Sequence, residues 1–203
     1  MSFYREALER WLKQIDIKAE RVLDIGGASN PITQRVNSLI ADEYVCLDLG
    51  AEEAKVPYIP FDINRPRGEQ LKGYDKEAFK ANYVFCLEVF EYVWNPFIAM
   101  KNIAKLLKPD GFAYISFPAI YPVHNPVEID YLRYTRKSIQ LYCRMVGLEI
   151  KEIMPRMATA GRDVLSQFYS LEGMHPVKNS PAPFEIGYLV KAYKPFEPKK
   201  SIV

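Results

Sequence analysis

Three aspartates stand where short apolar segments of the sequence end, and their spacing is the first indication of a binding site. Asp24 comes two residues before Gly26, Asp48 follows Gly26 by 22 positions, and Asp62 ends a third short segment. If these segments are parallel strands of an open sheet, their carboxyl ends meet at the edge where ligands bind. Carboxylates accept hydrogen bonds from ammonium, hydroxyl and amino groups. The sequence therefore predicts a site for a polar small molecule at this edge.

The glycine turn after Asp24 differs from the turn that binds dinucleotides. A dinucleotide site requires glycines spaced G-x-G-x-x-G, whereas residues 26–30 read GGASN. A carboxylate at Asp24 would also repel a pyrophosphate, but it could accept hydrogen bonds from an ammonium group. A ligand with an ammonium, a sulfonium, a ribose and an adenine would match three acids at three strand ends. S-adenosylmethionine has all four groups.

The elements that must position these residues can be predicted from hydrophobic periodicity. Apolar residues at helical spacing predict a cap helix over 1–18. A strand, a tight turn and a helix are predicted around Gly26, because Asn30 offers an N-cap and Pro31 suits the first helical position. Asn95, which is followed by Pro96, and Thr135 predict the starts of two later helices. Later strands that alternate with helices imply parallel pairing, and two strands close together at the end suggest an antiparallel last strand. We expect an α/β fold: a doubly wound, Rossmann-like, seven-stranded, mostly parallel sheet with the last strand antiparallel and helices on both faces.

Length and composition predict one globular domain. The 203 residues include 27 Lys and Arg against 25 Asp and Glu, which gives a formal charge of +2. We expect a single domain over 1–195 and a flexible tail over 196–203. The segment 155–183 is longer than a strand connection needs, so it is predicted to form a substrate lid or a contact in a homodimer.

Composition also indicates which classes of binding partner and which cellular compartment to expect. Mixed charges provide no large basic field, so nucleic-acid binding is not indicated. The three cysteines lack paired spacing, which predicts neither a disulfide framework nor a metal site. No apolar run is long enough to span a bilayer, and the charged N-terminus does not read as a signal peptide. We expect a cytoplasmic protein that acts on a small molecule.

Five motifs in order carry a resemblance to a known family. They are VLDIGGASNP at 22–31, LDL at 47–49, FDIN at 61–64, CLEVFEYVWNP at 86–96 and LLKPDGFAYISFP at 106–118. The chain resembles class I S-adenosylmethionine-dependent methyltransferases of the small, free-standing bacterial and archaeal type over residues 22–153. The resemblance implies transfer of a methyl group to a small or medium-sized acceptor by in-line displacement, with S-adenosylhomocysteine as the product.

The resemblance also implies roles for individual residues. Asp24 would hold the methionine ammonium through water, Asp48 would accept from both ribose hydroxyls, and Asp62 would accept from the adenine amino group. The other positions to which the resemblance gives a cofactor role are Gly26, Gly27, Ala28, Leu49, Ile63, Cys86 and Leu87.

The acceptor side is predicted from the residues after strands four and five. His124 is the candidate general base for a hydroxyl acceptor because imidazole transfers protons near neutral pH, with a solvated loop histidine as the alternative. Tyr121 is expected nearby. No metal is required. Residues expected to contact the acceptor are Glu88, Tyr131 and Arg133, of which Arg133 could instead pair with Glu128 or Asp130.

Some residues on the acceptor side leave alternatives open. On helical spacing, at most one of Glu88 and Glu91 lines the site. Arg156, Arg162 and Asp163 are further charges that could meet an acceptor.

A second interpretation is a catalytically silent module on the same fold. Ala28 and Asn30 stand where the family's second and third glycines usually fall, and Tyr92 stands where many relatives have a histidine. Cofactor binding without turnover would identify such a binding or regulatory protein.

Overall fold

The computed structural model describes residues 3–51, 53–72, 79–120, 123, 126–157 and 185–196. The helices are α1 (Phe3–Leu12), α2 (Arg67–Gln70), α3 (Pro96–Leu106) and α4 (Arg136–Met145), and the strands are β1 (Asp16–Ile25), β2 (Ser38–Asp48), β3 (Tyr58–Pro60), β4 (Ala81–Cys86), β5 (Leu107–Pro118), β6 (Glu149–Met157) and β7 (Glu185–Tyr193).

The seven strands form one sheet in the order β3-β2-β1-β4-β5-β7-β6. Strands β1 to β5 pair in parallel, whereas β7 runs antiparallel to both of its neighbours, β5 and β6. Strand β1 lies between β2 and β4 and pairs with both, so that Ile25 lies opposite Leu47 of β2 and Cys86 of β4. The predicted seven-stranded sheet with an antiparallel last strand is confirmed.

Successive strand residues point to opposite sides of the sheet, and buried apolar side chains lie on both sides. Helices therefore cover both faces. On one face Leu8, Trp11 and Leu12 of α1 pack against strand residues that include Phe85 and Tyr114. On the other face the buried residues of α3 and α4 pack against Leu23, Val84 and their neighbours, and they include Met100, Ile103, Ile139 and Cys143.

The first helix is shorter than the predicted cap helix over 1–18. It ends at Leu12, and residues 16–18 already belong to β1. Ile15 and Ile17 are buried while Asp16 and Lys18 are exposed, which is the alternation of a strand. The apolar residue at Ile15 fits a helical stripe as well as this alternation, so periodicity alone extended the helix too far.

The predicted helix after the glycine turn is wrong. Between Ile25 and Ser38 the chain forms a short 3-10 turn over Ile32–Gln34. The connection must return along the length of β1, which has 10 residues and spans about 33 Å. A helix made of the intervening residues would cover only roughly 18 Å at about 1.5 Å per residue, so the return is mostly extended.

Two helix starts follow the predicted capping residues. The side chain of Asn95 accepts a hydrogen bond from the backbone of Ile98, with Pro96 opening α3. Thr135 caps α4 and exchanges hydrogen bonds with Ser138 in a capping box. Both predictions are confirmed.

Most of the segment 155–183 lies outside the described residues, as do residues 197–203 of the predicted tail. Nothing in the described ranges tests the lid, dimer or tail predictions. Within those ranges, no helix has the length and apolar character needed to cross a membrane.

Asn102 joins α3 to the loop that follows β3. Its side chain is 2% exposed and accepts from the backbone of Arg67 at 3.0 Å, while its amide donates to the carbonyls of Ile63 (3.0 Å) and Arg65 (2.8 Å). Because buried backbone groups without partners are costly, Asn102→Ala should lower the free energy of unfolding by about 2 to 4 kcal/mol in a urea titration.

The exposed Asn37 provides the matched control. Its side-chain amide donates to the surface carboxylate of Asp16 at 2.8 Å, so Asn37→Ala should cost less than about 0.5 kcal/mol. Equal losses in the two variants would contradict a joining role for Asn102.

Candidate active site

A cleft of about 680 Å³ opens over the carboxyl ends of β1, β2 and β3 and over the segment that follows β4. This is the edge at which the sequence predicts a ligand site. Six of the predicted site residues lie on its wall: Gly26, Asp48, Leu49, Asp62, Ile63 and Glu88.

The glycine turn at the end of β1 requires glycine at its first position. Gly26 has φ +77°, a conformation that L side chains rarely adopt, and its N–H donates to the carbonyl of Leu47 at 2.8 Å. A Cβ at Gly26 would also collide with Cγ2 of Val89. The turn after β1 and the segment after β4 therefore touch each other at one end of the cleft.

Asp24 lies beneath this turn rather than on the cleft wall. It is 3% exposed, and its Oδ2 accepts from the hydroxyl of Tyr44 at 2.7 Å and from the backbone of Ile32 at 2.9 Å. A Cβ at Gly27 would collide with the Asp24 carboxylate. Burial raises the pKa of Asp24 despite these two hydrogen bonds.

Asp48 lies on the cleft wall at the end of β2. Its Oδ2 accepts from the backbone of Ala28 and its Oδ1 from the backbone of Gly50, both at 3.1 Å. A carboxylate has about four acceptor positions, so each oxygen can take one more hydrogen bond. The side chain thus fixes the glycine turn and still presents acceptors to the cleft.

Asp62 stands beyond β3 on the same wall. Its Oδ1 accepts from the backbone of Asn64 at 2.9 Å, and its Oδ2 lies 3.3 Å from Nε of Arg65. Its backbone N–H and carbonyl are both bonded by the side chain of Gln70, at 2.6 and 2.7 Å. Neighbouring Ile63 and Phe61 supply apolar wall.

Glu88 is the first charged residue after β4 and has an unusual backbone, with φ +55°. Its N–H donates to Oγ of Ser116 at 2.7 Å, and the Ser116 hydroxyl donates back to Oε1 at 2.8 Å. Nη1 of Arg156 bonds the same oxygen at 2.7 Å, and Arg156 is 0% exposed. Glu88 is therefore held in one orientation on the cleft wall.

Glu91 lies behind Glu88 and is 7% exposed. Burial, followed by the nearby charge of Glu88, raises the pKa of Glu91 to about 7. A carboxyl group with such a pKa can gain or lose a proton near neutral pH. Of the two glutamates after β4, Glu88 lines the described cleft and Glu91 does not.

The other predicted site residues lie around the cleft or beyond the described chain. Gly27, Ala28, Cys86 and Leu87 are buried next to it and are absent from its described wall. Tyr131 is exposed, with its N–H donating to the carbonyl of Glu91 at 2.8 Å.

Nη2 of Arg133 bonds Oδ2 of Asp130 at 2.7 Å, the ion pair that the sequence left open. Tyr121 and His124, with Arg162 and Asp163, lie outside the described residues. The roles assigned to all these residues stay predictions.

Two supporting residues were not found by sequence reasoning. Tyr44 lies within β2 and reads as an ordinary strand residue, and Ser116 is one of several polar residues in β5. Arg156 was expected to meet an acceptor, whereas its guanidinium is buried against Glu88. The register explains how it reaches Glu88: Arg156 lies opposite Gly187 of β7, a residue without a side chain.

The site thus combines three kinds of surface. Carboxylates stand at the end of β2 and just after β3, a glycine turn forms the floor, and apolar residues such as Ile129 and Pro126 line other parts of the wall. In the described part of the chain, no group of three or more His, Cys, Asp or Glu could hold a metal ion. The arrangement can bind and orient a polar ligand that also has apolar parts.

Solved structures share this fold. One chain of the complex between the Haloferax volcanii Trm112 methyltransferase activator and a candidate methyltransferase aligns with a TM-score of 0.62 and 14% identity, over 95% of this chain and 90% of that one. An S-adenosylmethionine-dependent methyltransferase from Mesorhizobium loti aligns at 0.58 and 12%, over 95% and 98%. The N-methyltransferase NodS of Bradyrhizobium japonicum, in complex with S-adenosylhomocysteine, aligns at 0.58 and 13%, over 96% and 88%. At these identities the likeness shows the fold alone.

The family is shown by the sequence itself. No curated protein was found to match the chain. A family model described as a methyltransferase domain matches residues 2–167, which is most of the chain. The resemblance drawn from the five motifs is thereby confirmed, and the chain belongs to the class I S-adenosylmethionine-dependent methyltransferases.

Proposed function

We propose that this methyltransferase moves a methyl group from S-adenosylmethionine to a small or medium-sized acceptor in the cleft over β1 to β4. The observation that carries the proposal is the convergence of Gly26, Asp48, Asp62 and Glu88 on one cleft from distant parts of the chain. The alternative of a catalytically silent module is tested by the same experiments.

The residues present fit the nucleoside half of the cofactor. Asp48 retains acceptor positions on both carboxylate oxygens, which suits two neighbouring ribose hydroxyls. Asp62, which follows the neighbouring strand β3, is also a carboxylate and would accept from the adenine amino group. Ile63, Leu49 and Phe61 would cover the apolar faces of the base.

The remaining cofactor roles come from the resemblance. The backbone of Gly26, Gly27 and Ala28 would pass beneath the methionyl part, and the backbone groups of Cys86 and Leu87 would lie near the transferring methyl. Cys86 ends β4 and Leu87 follows it, and both side chains are buried, which suits backbone contacts better than side-chain contacts.

Catalysis would consist mainly of positioning. The bound cofactor supplies an electrophilic methyl group, which the acceptor atom takes by in-line displacement. The protein's part is to align the two reactants in a site from which water is excluded, and such alignment contributes roughly 7 to 11 kcal/mol. Glu88 is suited to orienting a reactant because Ser116 and Arg156 hold its carboxylate.

Proton removal is needed if the acceptor is a hydroxyl. His124 would then be the base, with Tyr121 beside the acceptor. Tyr131, which is exposed near Glu91, and Arg133 would contact the rest of the acceptor. We place the reaction in the cytoplasm because the three cysteines are buried and unpaired thiols. The segment 155–183 would form either a substrate lid or a contact in a homodimer.

The first test is a calorimetric titration of the purified protein with S-adenosylmethionine, S-adenosylhomocysteine and NAD. Micromolar binding of the two sulfur ligands, without binding of NAD, is the expected result. Silence from both sulfur ligands would overturn the proposed function. Binding without transfer to any acceptor in a screen would favour the silent module.

Asp48→Ala tests the proposed ribose contact. Loss of the acceptors leaves two buried hydroxyls unpaired, so S-adenosylhomocysteine should bind with about 1 to 3 kcal/mol less free energy, roughly 5- to 150-fold more weakly. Asp42→Ala, an exposed aspartate on the same strand, is the control and should bind normally. If folded Asp48→Ala bound S-adenosylhomocysteine as tightly as wild type does, the proposed ribose contact would be wrong.

His124→Ala tests the proposed base. The rate of methyl transfer to a hydroxyl acceptor found in the screen should fall by roughly 100-fold or more, while the affinity for S-adenosylhomocysteine stays the same. His175→Ala, at the other histidine of the chain, serves as the control. A turnover of His124→Ala equal to that of wild type would remove the assignment.

A further inference from the structure

Asp24 is poorly placed for the role that the resemblance implies. Its carboxylate is 3% exposed and accepts from Tyr44 and Ile32, on the face of the sheet that α1 covers. Gly27 lies directly over it, so closely that no Cβ would fit between them. A ligand in the cleft would meet the backbone of the turn before it met this side chain.

Glu88 occupies the end of the cleft that Asp24 does not reach. The neighbouring Val89 packs so closely on Gly26 that it leaves no room for a Cβ there, which places the segment after β4 against the glycine turn. The Glu88 side chain is 33% exposed and lies on the cleft wall. Its φ of +55° is rarely adopted by L residues and marks a position that the surrounding structure maintains.

The surrounding contacts hold the Glu88 carboxylate without using all its acceptor positions. Ser116 and Nη1 of Arg156 both bond Oε1, at 2.8 and 2.7 Å. Nη2 of Arg156 lies 3.4 Å from Oε2, a longer contact that leaves acceptor capacity on this oxygen. A carboxylate fixed in this way is organised for a further donor before the ligand arrives.

The direction of the cofactor follows from the proposed nucleoside contacts. If Asp48 and Asp62 take the ribose and adenine, the amino-acid part lies toward the opposite end, beside the contact between Gly26 and Val89. Among the described residues on the cleft wall, Glu88 is the carboxylate at that end, since Asp48 and Glu53 lie at and after the end of β2 and Asp62 lies just after β3.

We infer that Glu88, rather than Asp24, receives the ammonium group of the cofactor's amino-acid part. The inference rests on the proposed function. Arg156 and Ser116 act as positioning residues for this contact, and Asp24 supports the turn from beneath. A charge-assisted bond between the ammonium and the carboxylate distinguishes the intact cofactor from fragments that lack the amino-acid part.

A comparison of two ligands tests this contact without any acceptor. S-adenosylhomocysteine carries the ammonium, whereas 5′-methylthioadenosine keeps the nucleoside and the sulfur but lacks the amino-acid part. In Glu88→Gln, the affinity for S-adenosylhomocysteine should fall about 10- to 100-fold while the affinity for 5′-methylthioadenosine stays unchanged. Glu53→Gln, the same substitution elsewhere on the wall, should not alter the ratio of the two affinities.

The Asp24→Asn variant tests whether Asp24, instead of Glu88, contacts the ammonium. A selective loss of S-adenosylhomocysteine in Asp24→Asn, or an equal effect of Glu88→Gln on both ligands, would overturn the inference. The Glu88→Gln variant could fail to fold because the buried Arg156 loses the carboxylate of Glu88. In that case the double variant Glu88→Gln with Arg156→Met, which removes both charges, should show the same selective loss. A wild-type protein that binds neither ligand would instead refute the proposed function.

Discussion

The parallel pairing of β1 with both β2 and β4 is the constraint on which the site depends. This pairing places Ile25, Leu47 and Cys86 side by side, so that the chain leaves three neighbouring strands at one edge. The hydrogen bond from Gly26 to the carbonyl of Leu47 then bends the backbone away from the sheet. The bend forms the floor of the cleft, and the ligand site lies above it. Every proposed ligand contact lies on a segment that starts from this edge.

Hydrogen-bonded carboxylates make this edge rigid. The buried Asp24 supports the turn from beneath and bonds Tyr44 and Ile32, and the half-buried Asp48 bonds the turn from the side at the backbone of Ala28. A buried carboxylate such as Asp24 is costly unless it is hydrogen-bonded, so this acid and the turn stabilise each other. An acid at a strand end can therefore build the site without touching the ligand. The position of an acid in a sequence motif does not show whether the acid contacts the ligand or supports the turn.

The sequence predicted those features that depend on local patterns. Apolar runs ended by acids located the strands, and Asn95 and Thr135 marked two helix starts, because capping needs only neighbouring residues. The helix after Gly26 could not be judged without knowing how far the connection must return along β1. The orientation of Asp24 and the partner of Glu88 depended on distant pairing. Arg156 bonds Glu88 from β6, where the register sets it opposite Gly187 of β7, a residue with no side chain to block its path.

The end of the cleft near β4 carries a charge that changes near neutral pH. Arg156 pairs with Glu88 and Arg133 with Asp130, whereas burial and the charge of Glu88 raise the pKa of Glu91 to about 7. The folded protein holds the Glu91 proton more tightly than the unfolded chain does, so stability falls as the pH rises from the ordinary carboxyl range through about 7. The same ionisation adds a negative charge beside Glu88. A cation bound beside Glu88 would therefore be held more strongly above neutral pH than below it.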